Sequence, residues 1–326
     1  QPDYSPDTPP SAANNAAIRD DLLATQAPQA QMPKPVEQPD EVFRLSSDSG
    51  DPVGKQANVA DMDRNTEDDS ATSAFSLLQQ TSELGPLDYE DPTKMFRTTY
   101  TPLKYTKGFK VSVELLEDDQ RGTIKQMPAA LAKATKRTTE YWSASILNNG
   151  HDTAYTSYGD GKPLFSTLHT RSDGGTAQSN ASSTSIAFSE INLETLRLQA
   201  EKLLDDKGQI IAFDFSKVIV PVDLRKTAKI ITDSPMRSGT ANNEVNIYND
   251  FSVVVWRWLT STTAWFLQDP SEHLVNFRWR TRPEFKNDFN FDADAALYKT
   301  RIRFATGWSD YRGIAGSQGT GGAYSS

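Results

Sequence analysis

Apolar and polar positions change their period several times along the chain, and each change marks a predicted element. From Phe96 to Leu116 the pattern alternates, with Phe109, Val111 and Val113 set against Lys110, Ser112 and Glu114. A period of two predicts strands, and Thr106-Lys107-Gly108 offers a turn, so this segment reads as a long hairpin. A two-stranded ribbon with so few aliphatic residues is marginal in water unless it lies on another surface. Pro128 can occupy the first turn of a helix that runs to about Leu147, with Gly150 as its stop. Leu131, Ala134, Thr138, Tyr141 and Ser145 form its narrow stripe. A second helix, 192–206, carries Leu193, Leu196, Ala200, Leu203 and Leu204 on one side and Gly208 just past its end.

Strand patterns dominate the remainder. Residues 209–222 end in the buried-type run Val218-Ile219-Val220-Pro221, and 224–232 reads as a short helix. Phe251 to Leu259 is apolar on both faces, which predicts a central strand. Val275, Phe277 and Trp279 alternate with Asn276, Arg278 and Arg280, and Tyr298, Ile302 and Phe304 alternate with Lys299, Arg301 and Arg303. Both read as half-buried strands. Residues 159–180, rich in Gly, Ser and Asp, read as a loop. The order of hairpin, long helix, loop and interleaved helices and strands gives an α+β class.

Charge divides the chain in a way its net of -9 conceals. Residues 1–93 hold 18 acidic and 5 basic side chains, whereas 94–326 hold 25 and 29. Nine of the 18 prolines lie in the first 52 residues, and all six Trp lie beyond position 140. A segment so acidic, polar and Pro-rich cannot offset its ordering entropy by burying apolar surface alone. Residues 1–93 therefore read as an arm that leans on neighbouring subunits or on its own body. The absence of Cys removes disulfides, thiolate metal sites and thiol nucleophiles, and no apolar run is long enough to span a membrane.

Motifs for chemistry are missing. His151, His169 and His273 lack the short spacings of zinc sites. Asp160-Gly161-Lys162-Pro163 lacks the frame of a phosphate loop and reads as a turn, and neither a nucleophile elbow nor a dinucleotide fingerprint occurs. Glu117-Asp118-Asp119 and Asp205-Asp206 sit at element ends, where solvated charge is the usual role. Trp256, Trp258, Trp265, Phe266 and Trp279 fit either core packing or a carbohydrate platform. The rows Arg278/Arg280/Arg282 and Lys299/Arg301/Arg303 fit a solvated face, intersubunit pairing or contact with nucleic-acid phosphates.

Tyr105 to Asp119, then Gly159 to Ser166 with His169 and Ser179-Asn180, then Val218 to Pro221 leading into Leu224 to Thr232, and finally Phe304 with Asp310 to Ile314, occur in a telling order. Together they resemble the major capsid protein of tailed bacteriophages, the Hong Kong 97 capsid fold. The resemblance implies an acidic N-terminal arm over 1–93 and an extended-loop hairpin over 94–122. It further implies a peripheral domain with a long spine helix over 123–188, an axial domain over 189–274, and return strands with a C-terminal tail over 275–326.

On the same grounds the protein would be a non-enzymatic shell subunit of the virion, with no cofactor, metal or membrane. Its partners would be copies of itself in hexamers and pentamers, packaged double-stranded DNA through weak contacts, a portal, a scaffold or maturation protease, and a decoration protein. Cleavage by such a protease would account for a start at Gln1. Arg97, Lys104, Lys107 and Lys110 would lie on the loop that crosses an adjacent subunit, while Arg278, Arg280, Lys299, Arg301 and Arg303 form the basic strand faces. Some members cross-link an extended-loop Lys to a neighbour's Asn; no Lys or Asn here aligns residue by residue with that chemistry. An encapsulin-type compartment shell and, more distantly, a carbohydrate-binding protein using the Trp cluster are the alternatives.

Overall fold

The computed structural model describes residues 56–73, 75–92, 94–119, 121–182, 184–236 and 245–320. The part of the acidic arm before residue 56 lies outside the described residues. Strands are β1 (Asn58–Asp61), β2 (Glu67–Thr72), β3 (Lys94–Tyr100), β4 (Leu103–Ser112), β5 (Lys217–Val220), β6 (Ser252–Val255), β7 (Trp265–Gln268), β8 (Val275–Asn290), β9 (Ala295–Trp308) and β10 (Ile314–Ser317). Helices are α1 (Val113–Glu117), α2 (Thr123–Asn148), α3 (Glu190–Glu201) and α4 (Arg225–Thr232).

One sheet has the order β1-β8-β9-β4, a second β10-β7-β5-β6, and β2 pairs with β3 alone. The second sheet is covered on both faces. Val218, Val220, Trp265 and Leu267 point into a core with Leu193, Leu196 and Phe215. The intervening Ile219 and Phe266 point the other way, into a core with Ile146, Phe165, Phe277, Phe304 and Trp308. Alternation in β5 and β7 therefore feeds two cores from opposite faces, which is why both strands read as continuous apolar runs.

Three expectations about strands change. The 96–116 segment is not a hairpin: β4 runs unbroken through Thr106-Lys107-Gly108 and pairs antiparallel with β9, while β3 pairs with β2. Gly108 sits mid-strand because a Cβ there would lie 2.6 Å from the Tyr298 carbonyl oxygen, so the glycine serves close approach rather than a turn. Residues 58–61 belong to the body, since β1 pairs in parallel with β8. Finally, the apolar 251–259 run yields an edge strand: β6 borders β5 alone, and Trp256 beyond it is buried.

Helix α2 begins five residues before Pro128, because the Asp119 carboxylate accepts from the Thr123 and Ile124 N–H groups at 3.0 and 2.8 Å. Its 26 residues span about 39 Å. The buried face is rotated from the predicted stripe: Tyr141 is exposed, and Leu131, Thr135, Thr139 and Ser143 face inward. Thr135, Thr139 and Ser143 each donate to a backbone carbonyl three or four residues back, at 3.1, 2.8 and 2.9 Å. Hydroxyls satisfied within the helix can be buried without a partner elsewhere, which the polar identity of these residues conceals.

A buried polar joint ties the 159–180 loop to the C-terminal segment. His169 stacks on Tyr311 with ring centroids 3.8 Å apart, its Nδ1 lies 3.0 Å from Asp160, and its Nε2 lies 3.1 Å from Asn180. The Asn180 amide donates to the carbonyls of Leu164, Tyr311 and Ile314 at 2.7 to 3.1 Å. Beside it, Arg312 reaches Asp310 at 2.9 Å and Asp206 at 3.0 Å. Burial pushes the Asp310 carboxyl above its ordinary range against the opposing pull of Arg312. Removing the guanidinium leaves buried carboxylates uncompensated. We predict that Arg312→Gln lowers subunit stability by about 3–5 kcal/mol, read from the urea unfolding midpoint of unassembled protein; a loss below about 1 kcal/mol would show that the joint is not a structural tie.

Candidate assembly surface

Two exposed features stand out against these cores. The first is the segment between β2 and β3, residues 75–92. Phe75, Leu77, Leu78, Leu84, Leu87 and Tyr89 are all exposed there, Leu78 completely. From 75 to 92 the chain carries Glu83, Asp88, Glu90 and Asp91 and neither Lys nor Arg. Leu84 adopts a left-handed φ of 65°, and the Gly85 N–H donates to the Ser82 carbonyl at 2.8 Å, so the tip is a defined turn. Apolar side chains gathered on one exposed loop mark an interaction site rather than ordinary surface. Sequence reading absorbed this loop into the acidic arm. The signal was present in Leu77-Leu78, Leu84, Leu87 and Tyr89 beside Gly85-Pro86.

The second feature is one face of the distal β8-β9-β4 sheet. Residues directly opposite in antiparallel strands share a face. Register puts Lys104 opposite Arg303, Thr106 opposite Arg301 and Gly108 opposite Lys299. On the other side of β9, Lys286 faces Lys299 and Glu284 faces Arg301. Lys104, Lys110, Lys286, Lys299 and Arg301 are exposed on this face. Like charges directly opposite, as at Lys286 and Lys299, oppose pairing, so this clustering costs stability within the subunit. The absent side chain of Gly108 leaves a groove of about 310 Å³ lined by Lys110, Lys286, Lys299 and Asp288. Glu284 offers only long contacts, 3.9 Å to Lys286 and 3.8 Å to Arg301.

The sequence-predicted residues separate into groups. Lys104, Lys110, Lys299, Arg301 and Arg303 come together on the face just described, and Arg303 meets Asn65 at its inner end at 2.5 Å. Lys107, opposite Thr300 in the register, is on the other face and lines a cleft with Leu131, Ala134 and Thr138 of α2, a cleft that Lys104 also borders from the edge strand. Arg97 pairs with Asp68 across β2 and β3. Hydrogen bonds from Arg97 and Thr99 hold the Asp68 carboxyl below the usual carboxylate range.

Arg278 pairs with Asp69 at 3.2 Å, and Arg280 donates to the Met62 carbonyl at 3.1 Å. Arg282 makes a two-pronged contact with Asp61 at 2.9 and 3.1 Å. The inner arginine row is thus answered by the chain's own 61–69 segment, which excludes the solvated reading for Arg278. The carbohydrate platform is likewise excluded: Trp256, Trp265, Phe266 and Trp279 are buried, and the half-buried Trp258 donates to Glu140 at 2.7 Å.

Among the described residues no group of His, Asp and Glu could hold a metal ion, and no helix is long and apolar enough to cross a membrane. Burial alone lowers the His151 pKa to about 3. His273 falls to about 4 through burial and the nearby Lys217. Neither geometry resembles a base poised for catalysis.

Comparison with known proteins accords with a structural role. No curated protein sequence matches the chain. Among solved structures, that of Microbacterium phage Oxtober96 superposes with a TM-score of 0.54 at 12% identity, covering 92% of this chain and 98% of that one. The capsid of the native GTA particle gives 0.53 at 13% identity, over 90% and 97%. The capsid of the Cyanophage P-SCSP1u gives 0.54 at 11%, over 84% and 92%. Identities this low show a shared fold. A family model described as phage capsid protein matches residues 96–317, well over half of the chain. The protein therefore belongs to the phage capsid protein family and is a structural subunit of the virion head.

Proposed function

We propose that this subunit closes an icosahedral head built from hexamers and pentamers. The 75–92 loop of one copy then lies on the basic β8-β9-β4 face of the next. The observation that carries this reading is the exposed loop itself, six large apolar side chains held clear of their own core. Its acidic residues complement the lysines of the ribbon face, and neither surface has a counterpart of that size among the described residues. This reverses the polarity inferred from sequence: the crossing loop is acidic and apolar, and the lysines line the surface that receives it. The extended loop accordingly shifts from 94–122 to the β2–β3 hairpin, 67–100.

On the same reading α2 is the spine helix of a peripheral domain completed by β8 and β9, and 189–274 form the axial domain. The second core supports that division, since it draws almost wholly on residues 186–267. The subunit performs no chemistry. Packaged double-stranded DNA, a portal, a scaffold or maturation protease and a decoration protein are partners that rest on the family resemblance.

Shells multiply a modest contact by symmetry, so small losses per contact become large losses in assembly. Exchanging one exposed Leu for Asp removes about 2 kcal/mol of burial per contact, roughly thirtyfold in its affinity. We predict that Leu78→Asp leaves the subunit's melting temperature unchanged but abolishes shells in negative-stain images at concentrations where native protein assembles. Native particle yield would refute the contact. We also predict that Lys299→Glu weakens assembly more than Lys107→Glu, because Lys107 faces α2. The gap should narrow as salt rises from 50 to about 500 mM and screens the pairing. Equal effects of the two substitutions in light-scattering assembly assays would exclude the basic face as the receiving surface.

A further inference from the structure

Glu90 occupies an unusual place in the exposed loop. Its Oε2 accepts from the Ser76 backbone N–H at 2.8 Å and from the Ser76 hydroxyl at 2.6 Å, which closes the neck of the loop across 14 residues. Its Oε1 lies 2.6 Å from the Lys207 ammonium. Hydrogen bonds from Lys207 first, and then from Ser76, hold the Glu90 carboxyl down to about 2, so this carboxylate stays charged at pH 4 and above.

Lys207 stands on a rigid turn. Asp205 Oδ1 accepts from the Lys207 and Gln209 N–H groups at 2.9 and 2.7 Å, and the Asp205 N–H donates to the Gln209 carbonyl at 2.8 Å. Gly208 takes the left-handed φ of 78° that this turn requires. The intervening Asp206 is locked to Arg312 and to the Ser172 N–H. The turn that carries Lys207 is therefore fixed to the buried joint, while Glu90 sits at the root of a loop whose apolar side chains make no core.

We propose that Glu90 and Lys207 form a clasp that sets the direction in which the 75–92 loop leaves its own subunit, making both of them positioning residues for assembly. The proposal rests on the reading that this loop contacts a neighbour. Without the clasp the loop keeps its apolar residues but samples many directions, and each copy must order it anew when it meets a neighbour. With the clasp the loop is presented in one direction.

Hydrogen exchange of the full-length unassembled subunit, read by mass spectrometry over residues 75–92, tests this alongside shell yield and diameter by electron microscopy. Glu90→Gln keeps an acceptor for Ser76 but removes the charge. Lys207→Gln and Lys207→Glu remove or reverse the partner, and Lys207→Arg restores it. Exchange in the Gln variants should rise about three- to fivefold, the range a partly exposed ion pair supports, and more in Lys207→Glu. Shell yield should fall in parallel, and Lys207→Arg should match native protein in both readouts. Native exchange and native shells in Lys207→Glu would overturn the clasp. Faster exchange with native shell yield and diameter would overturn it too, since the pair would then hold the loop without directing assembly. Leu78→Asp keeps the clasp and separates the two ideas: native assembly there refutes the loop contact, while exchange in the Lys207 variants still judges the ion pair.

Discussion

The β8–β9 hairpin is longer than the core that supports it, and much of the molecule follows from that mismatch. β8 has 16 residues and β9 has 14, yet their buried aromatic side chains, Phe277, Trp279, Phe304 and Trp308, all lie in the halves nearest the body. Beyond Thr281 the hairpin carries on with β4 as a three-stranded sheet. One face of that extension packs on α2 through Thr300 and Ile302, and the other has no cover among the described residues. A three-stranded sheet backed by a helix can stand alone, so its charged outer face is left open to a further surface. A shell, in which every copy meets the same neighbours, supplies such a surface by repetition.

Charge is arranged to suit the same division. Arg278, Arg280 and Arg282 sit on the inner half of the hairpin, where they meet carboxylates and a carbonyl of the 61–69 segment, whereas Arg301 lies farther out with the lysines. Lysines sit on the outer half, where Lys110, Lys286 and Lys299 share a groove. The guanidinium fork fits fixed intramolecular pairs, and the ammonium on its flexible stem fits a surface that must meet an incoming partner. The acidic region likewise has two destinations. Asp61, Asp68 and Asp69 are spent inside the subunit, while Glu83, Asp88 and Asp91 ride outward with the apolar residues of the loop. Glu90 stands between them at the neck.

The elements with strict periodicity were legible in the sequence. Leu193, Leu196 and Ala200 lie buried on α3, and the apolar run at 218–220 is a core strand. What misled was a residue whose role depends on a distant partner. Gly108 looks like a turn until the Tyr298 backbone is placed against it. Thr135, Thr139 and Ser143 look solvent-facing until their hydroxyls are seen to bond within the helix. Asp119 looks like surface charge until it caps α2. The basic residues were found individually, but their division between two faces depends on the β4–β9 register, which no local pattern encodes. The apolar loop was hidden by its acidic surroundings, since charge dominated the reading of the first 93 residues.

Carboxylate–amine zero-length cross-linking of shells assembled from equal parts ¹⁵N-labelled and unlabelled subunits addresses the central contact most directly. The account predicts mixed-isotope peptide pairs joining Glu83, Asp88 or Asp91 of one copy to Lys104, Lys110, Lys286 or Lys299 of another. Intact shells in which those carboxylates cross-link only within one copy, or only to other surfaces, would contradict it.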